Sequence, residues 1–204
     1  MIVTGLEKIS ADRFKVFLDG EFAFVLYKGE LYDYKITEGQ SFSDSAYQEI
    51  VEKLLPRRAK LRAMNLLKGK RYTEKQLIDK LKEGHYSDSV IMQAIDYLKS
   101  YHYLDDFQFA VDYITYHEST KSCRKMEMEL KKKGIPDSVC KQAMFHWQSL
   151  GGEQDEMQMI KEILQKKNYS SDCDEKEKRR IYAFLLRKGF SIDHVNRALS
   201  LEEI

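Results

Sequence analysis

Apolar positions along this chain follow two different periods. Near the start, Phe14, Val16 and Leu18 alternate with Lys15 and Phe17, and Asp19-Gly20 separates them from the β-prone run Glu21–Tyr27. Asp-Gly between two such runs predicts a hairpin, because a type I′ turn needs positive φ at both central residues. A lone hairpin is marginal in water, so it should pair with Ile2-Val3 or pack on a helix. Beyond a loop holding Gly39, the period becomes helical. Ser43 is a candidate N-cap for a stripe of Tyr47, Ile50, Val51 and Leu54. Pro56 interrupts that helix or opens the next, which carries Ala59, Ala63, Leu66 and Leu67 and ends near Gly69. Thr73-Glu74-Lys75-Gln76 is a capping box ahead of Leu77, Ile78 and Leu81. Ser87 caps a further helix with Val90, Ile91, Ala94, Ile95 and Leu98 on one face. Asp105 is placed to cap the next, with Asp106 in its first turn and Phe109, Ala110 and Tyr113 on its apolar face.

The helical pattern then repeats. Leu81, Leu130 and Leu185 come into register at offsets of 49 and 55 residues. The same register aligns Leu77 with Met126 and Ile181, Ala94 with Ala143 and Ala198, and Gly134 with Gly189. A period of roughly 50 residues signals tandem units, each burying its apolar face against neighbours. The expected fold is mostly α: an elongated, curved array of three three-helix repeats with a small N-terminal β-hairpin. Its segments are 1–55 (hairpin plus helix), 56–103, 104–150 and 151–204, the last carrying a polar insert near residues 168–174. Tyr103, Asp105, Asp106, Phe109 and Tyr113 form the expected joint between the first two repeats.

Composition narrows the function. Hydrophobic residues make up 43% and charged residues 33%, as in a helix-rich soluble protein with broad solvated faces. The 34 basic and 33 acidic residues nearly cancel, so the distribution of charge must carry any argument about partners. Cys123, Cys140 and Cys173 are too sparse for a disulfide framework and are expected as reduced thiols. No apolar run approaches the ~18 residues of a membrane span, and no signal peptide is evident. A cytoplasmic monomer away from the membrane is expected.

The informative charges are those that keep the repeat register. Lys75, Arg124 and Arg179 share one position; Lys121 matches Lys176, Lys125 matches Arg180, and Lys132-Lys133 match Arg187-Lys188. Such positions predict a basic stripe along the second helices, balanced elsewhere by acidic groups that include Asp44, Glu127 and Glu129. Lysines near helix C-termini can also sit there for dipole reasons alone. Arg124 and Arg179 are expected near helix starts, where the dipole disfavours them, so an anionic partner is the better account of those two. Tyr113, Tyr116 and Trp147 interleave with the stripe. The five His show no HxxxH or HExxH pairing, and no GxSxG, GxGxxG or Walker loop occurs. Neighbouring Asp105 and Asp106 would point about 100° apart on a helix, a poor geometry for shared acid–base work. The expectation is a binding protein with no enzymatic activity, no metal and no cofactor.

Four segments, in order, resemble the RecX family, the bacterial regulators of the RecA recombinase. They are Tyr103-Leu104-Asp105-Asp106-x-x-Phe109-Ala110-x-x-Tyr113, Arg71-Tyr72-Thr73-Glu74-x-x-Leu77, Glu129-Leu130-x-x-Lys133-Gly134-Ile135 with Arg124 and Met126 before it, and Leu186-Arg187-Lys188-Gly189-Phe190-Ser191. The resemblance runs over essentially the whole chain. One departure is Thr120-Lys121-Ser122-Cys123, where the family often has Gly-Pro before a basic pair. The resemblance implies tandem three-helix repeats and a non-enzymatic modulator of RecA, bound in the groove of its filament on single-stranded DNA. It further implies suppression of RecA ATPase, strand-exchange and coprotease activities, hence a role in DNA repair and the SOS response, with weak nonspecific DNA binding. The competing expectation is a direct helical DNA-binding module without a RecA partner. It would use exposed third-helix residues such as Met92-Gln93, Lys141-Gln142 and Asn196-Arg197.

Overall fold

A computed structural model describes residues 1–170 and 173–200. Asp19 and Gly20 take φ of 48° and 88°, the pair of positive values that a type I′ turn requires. They join β2 (Arg13–Leu18) to β3 (Glu21–Tyr27), and β1 (Val3–Lys8) adds antiparallel to β2, giving the sheet order β1-β2-β3. The hairpin is thus completed by the N-terminal strand. The Ile2 N–H and Asp19 carboxylate close the edge at 2.7 Å. Val16, Leu18, Phe24 and Leu26 line the inner face.

The sheet runs into α1 (Lys28–Asp33), a short helix that the periodicity did not signal. Glu30 supports its start by accepting from the Tyr27 N–H at 2.7 Å. Ser43 caps α2 (Asp44–Glu49) as expected, accepting from the Ala46 N–H at 3.2 Å. The helix then continues through one widened π-helical segment, Ile50–Leu54, into α3 (Leu55–Gly69). There the Leu55 N–H reaches back five residues to the Ile50 carbonyl. The cause is Pro56: it has no N–H for the carbonyl four residues back, and its ring would press on that carbonyl in an α-turn. Residues 55 and 56, where the sequence pattern divides two segments, therefore lie inside one helical run. A single core includes Val16, Leu26, Ile50, Ala59, Leu77, Ile91 and Leu98, so sheet and helices fold together.

The unit Met1–Asp105 also contains α4 (Glu74–Lys82) and α5 (Asp88–Ser100). Thr73 and Gln76 form the reciprocal capping box, each bond 3.2 Å, and Ser87 caps α5. Arg58 ties helix to sheet. It donates to Glu30 at 2.7 Å and to the Val25 carbonyl at 2.5 Å, with Tyr27 and Tyr86 rings 5.0 and 5.6 Å from its guanidinium carbon.

The second unit begins at Asp106. It holds α6 (Asp106–His117), α7 (Cys123–Lys132) and α8 (Asp137–Ser149), followed by α9 (Glu156–Lys166), α10 (Glu175–Arg187) and α11 (Ile192–Ser200). Ala110, Ile114, Met126, Leu130, Ala143 and Trp147 form one core. Ile160, Leu164, Ile181, Leu185, Val195 and Ala198 form the next. The register residues Leu81, Leu130 and Leu185 are all completely buried. Gly134 and Gly189 end α7 and α10 at φ of 91° and 92°. His85 takes the matching place after α4 at φ 60°, a left-handed residue that the aligned glycines concealed. Of the expected polar insert, residues 171–172 lie outside the described residues, as do 201–204 at the end of the third repeat.

Candidate functional site

The cationic positions are built on the second helices of the repeats, and the best-defined group surrounds α7. Ser122 caps α7 by accepting from the Lys125 N–H at 3.2 Å and is itself buried. One turn of helix spacing puts Lys125 and Glu129 on the same face. Lys121, just before the helix, folds back to donate to Glu129 at 2.6 Å and to the Tyr113 hydroxyl at 2.8 Å. Tyr113 in turn donates to the same Glu129 oxygen. Lys125 lies 3.7 Å from the other carboxylate oxygen. Lys133 stands over the Tyr113 ring, 5.7 Å from its centroid.

Electrostatics follow from this packing. Burial works against ionisation of Glu129, but the hydrogen bonds from Lys121 and Tyr113 and the charges of Lys121 and Lys125 outweigh it and hold the carboxyl at about 2. Burial also opposes the charge on Lys121, yet its bonds to Glu129 and Tyr113 leave its pKa raised. The Tyr113 hydroxyl is raised by burial and by its bond to Glu129. Neighbouring His117 is lowered, first by burial and then by the charge of Lys121, with Lys188 and Lys133 acting in the same sense.

The expected contact residues separate into two sets. Lys75 pairs with Asp79 at 2.7 Å, Arg180 with Glu177 at 3.6 Å, and Lys121 and Lys125 with Glu129. Lys188 lies over the Phe184 ring at 5.6 Å. By contrast Arg124, Lys132, Lys176, Arg179 and Arg187 are exposed and make no ion pair among the described residues. Two expectations need correction. Glu129 does not balance the cations from elsewhere; it sits between Lys121 and Lys125 and pairs with both, its single charge cancelling one of their two. Arg179 is not at a helix start: Asp174 caps α10 by accepting from the Glu177 N–H at 2.7 Å, so α10 begins a turn early and Arg179 falls in its second turn. The dipole argument therefore holds for Arg124 alone.

Of the joint residues, Asp106 is the first residue of α6 and Asp105 immediately precedes it. Phe109 and Tyr113 pack against the core of the second unit. Tyr103 stays largely exposed beside Tyr101.

Other polar contacts carried no sequence signal. Trp147 is buried, with its indole N–H donating to Glu118 at 2.6 Å. Gln154 holds the α6–α7 connection, donating to the Glu118 and Lys121 carbonyls at 2.5 and 2.9 Å and accepting from the Cys123 N–H at 2.9 Å. These partners lie some thirty residues apart or more, beyond any periodicity. The third-helix residues Met92, Gln93, Lys141, Gln142, Asn196 and Arg197 are exposed, with Lys141 paired to Asp137 at 2.7 Å. Among the described residues no cluster of three His, Cys, Asp or Glu is placed to hold a metal ion. No described helix is long and apolar enough to cross a membrane.

Three-helix units that follow a small antiparallel sheet in chain order, with cations recurring in register, define a tandem helical-repeat protein. Residues 59–98 match the family description "RecX, first three-helix domain", and residues 153–199 match "RecX, third three-helix domain". The Regulatory protein RecX of Caldanaerobacter subterraneus subsp. tengcongensis is 29% identical over 203 residues, covering 98% of this chain and 100% of that relative. That of Bacillus velezensis is 30% identical over 199 residues, covering 97% of this chain and 75% of the relative. The chain belongs to the RecX family. A crystal structure of regulatory protein RecX shares the fold, with a TM-score of 0.58 at 20% identity over 96% of this chain and 97% of the other. RecX from Lactobacillus salivarius gives a TM-score of 0.55 at 21% identity over 73% and 97%.

Proposed function

We propose that this regulatory protein acts without catalysis, by binding the RecA recombinase in its filament on single-stranded DNA and lowering its ATPase, strand-exchange and coprotease activities. The observation that carries this reading is kinship along the whole chain with proteins named Regulatory protein RecX. The repeating architecture supports it, since tandem units offer several weak contacts that reinforce one another through effective concentration. The exposed cations Arg124, Lys132, Lys176, Arg179 and Arg187 are the contact residues for an acidic filament surface or for phosphates, joined by Lys75, Arg180, Lys133 and Lys188 where their local partners can be exchanged. Lys121 and Lys125 support the site through Glu129. Asp105 and Asp106 stand at the start of α6 and support that helix end.

The test is RecA ATPase on single-stranded DNA, titrated with the wild-type chain and with R124E/R179E/R180E. The wild type should inhibit, and the triple reversal should lose most of that inhibition while keeping its helical circular dichroism. Full inhibition by the folded triple variant would assign the contact to another surface. No association of the wild-type chain with RecA filaments in co-sedimentation would remove the RecA reading itself.

A further inference from the structure

One surface of the first unit is left out of the repeat register. Along α3 and the turn before it, Lys53, Arg57, Lys60, Met64 and Lys68 recur at three- and four-residue spacing, and so form one stripe. The fifteen residues of α3 include five Arg or Lys and no Asp or Glu. Arg58 and Arg62 are used internally, the first on Glu30 and Val25, the second on the Lys80 carbonyl. Lys53, Arg57, Lys60 and Lys68 make no ion pair among the described residues.

Beside this stripe runs a groove against α5. Pro56, Leu61, Met64, Gln93 and Tyr97 line one stretch of it, with Glu52 the acidic side chain at that end. Met64 also lines the next stretch, with Leu67, Leu98 and Tyr103, so the two are continuous. The far wall is aromatic. Tyr97 and Tyr101 have ring centroids 4.8 Å apart, and Tyr101 and Tyr103 stack at 6.1 Å with an interplanar angle of 17°. Tyr101 and Tyr103 are nevertheless 59% and 56% exposed.

Local chemistry makes this ladder. His102 takes φ 56° at the end of α5, the His102 N–H bonds the Lys99 carbonyl at 3.0 Å, and the Tyr103 N–H bonds the Leu98 carbonyl at 2.9 Å. That is a Schellman ending, which turns the chain back and lays Tyr103 beside Tyr101. Lys60 Nζ sits 4.9 Å above the Tyr97 ring, joining the cationic wall to the aromatic one.

A row of cations that form no ion pair among the described residues, facing flat exposed rings across an open groove, suits a flexible polyanion that itself carries flat π faces. We infer that the α3–α5 groove binds single-stranded nucleic acid, with phosphates on Lys53, Arg57, Lys60 and Lys68 and bases stacked on Tyr101 and Tyr103. An acidic peptide would use the cations and leave the tyrosines idle. The stripe from Lys53 to Lys68 spans about 22 Å at 1.5 Å per residue, room for a few nucleotides of an extended single strand. The site does not rest on the RecA reading and requires no RecA.

The experiment is fluorescence anisotropy of a labelled oligothymidine of about 20 nucleotides with the full chain alone, over a salt series. K53E/R57E/K60E should weaken binding at least about tenfold and lower the log–log salt slope by about 2, at about 0.7 per lost phosphate contact. Y101A/Y103A should weaken binding about tenfold with the slope unchanged. K161E/K166E, exposed on the second unit and outside the proposed contact residues, should bind like the wild type. Wild-type-like binding by either groove variant would overturn the site, as would equal affinity for duplex of the same length. Displacement of the oligonucleotide by polyglutamate, with no effect of Y101A/Y103A, would assign the groove to an acidic polypeptide instead. Circular dichroism of both variants verifies folding, since the substituted side chains lie on the surface.

Discussion

Gly189 at the end of α10 lies directly against Ser122 at the start of α7. A Cβ on Gly189 would come 2.6 Å from the Ser122 hydroxyl and 2.5 Å from Lys125 Cβ, and the Ser122 N–H donates to the Lys188 carbonyl at 3.3 Å. The contact joins the second helices of consecutive repeats. Gly189 is required twice over, by φ of 92° and by the absence of space. Gly189→Ala should therefore destabilise the second unit by about 2–4 kcal/mol, combining left-handed strain with overpacking. Urea unfolding followed by Trp147 fluorescence reads this directly, because it is the chain's one tryptophan and lies in that unit. Gly20→Ala, at a turn with open space around it, should cost less.

The Glu129 cluster predicts an acid transition. Its carboxyl titrates at about 2 in the folded chain against 4.5 ordinarily. The stabilisation is therefore complete above about pH 4.5 and is lost as pH falls through about 2. His117 acts in the same direction at higher pH: its lowered pKa favours the neutral ring, so stability begins to fall as pH drops below its ordinary 6.5. Glu129→Gln should lower stability at pH 7 by on the order of 1–2 kcal/mol, allowing for solvent screening, and should flatten the dependence between pH 4.5 and 2. Unfolding curves across pH 2–7 for the variant and wild type test both statements.

Lys121 and Lys132 should behave oppositely although both are expected contact residues. Lys121 is 19% exposed and hydrogen-bonded to Glu129 and Tyr113. Its removal leaves a half-buried carboxylate short of its partner, so Lys121→Ala should cost about 1–3 kcal/mol of stability. Lys132 is exposed and without an ion pair among the described residues. Lys132→Ala should change stability by less than about 0.5 kcal/mol, so that any loss of RecA inhibition reports on contact. Thermal unfolding alongside the ATPase assay separates the two.

Arg58 should be the most sensitive charge in the first unit. Arg58→Ala strands Glu30 and the Val25 carbonyl and removes a cation held between Tyr27 and Tyr86. The expected loss is about 3 kcal/mol. Arg57→Ala, one residue away and exposed, should be nearly neutral for stability. Denaturant midpoints of the two variants give the comparison.

Helices, caps and repeats were legible because they are local. Thr73, Ser87 and Ser43 cap where their spacing to the apolar stripe says, and Leu77, Leu81, Ala94 and Leu98 are buried where the 3.6-residue period puts them. Asp19-Gly20 specified its turn through φ alone. The repeat register also carried through to three successive helix sets, because the same faces must be buried in each.

Which cations are available for a partner depended on tertiary structure. A lysine counts as a contact residue only if no carboxylate reaches it, and Glu129 reaches Lys121 from eight positions away only because the α6–α7 connection turns Lys121 back over α7. Arg179 moved off its expected helix end because Asp174 supplied an earlier cap. The Tyr101–Tyr103 stack required a left-handed His102, and the cationic edge beside it depended on how the widened turn before Pro56 rotates Lys53 relative to α3. Sequence by itself determined the repeated helices and their buried faces, since those follow from backbone period and capping, but not the division at residues 55 and 56, which one helical run bridges. Charge pairing and surface assembly were decided by the fold, since a Coulomb partner or a ring stack depends on distance in space.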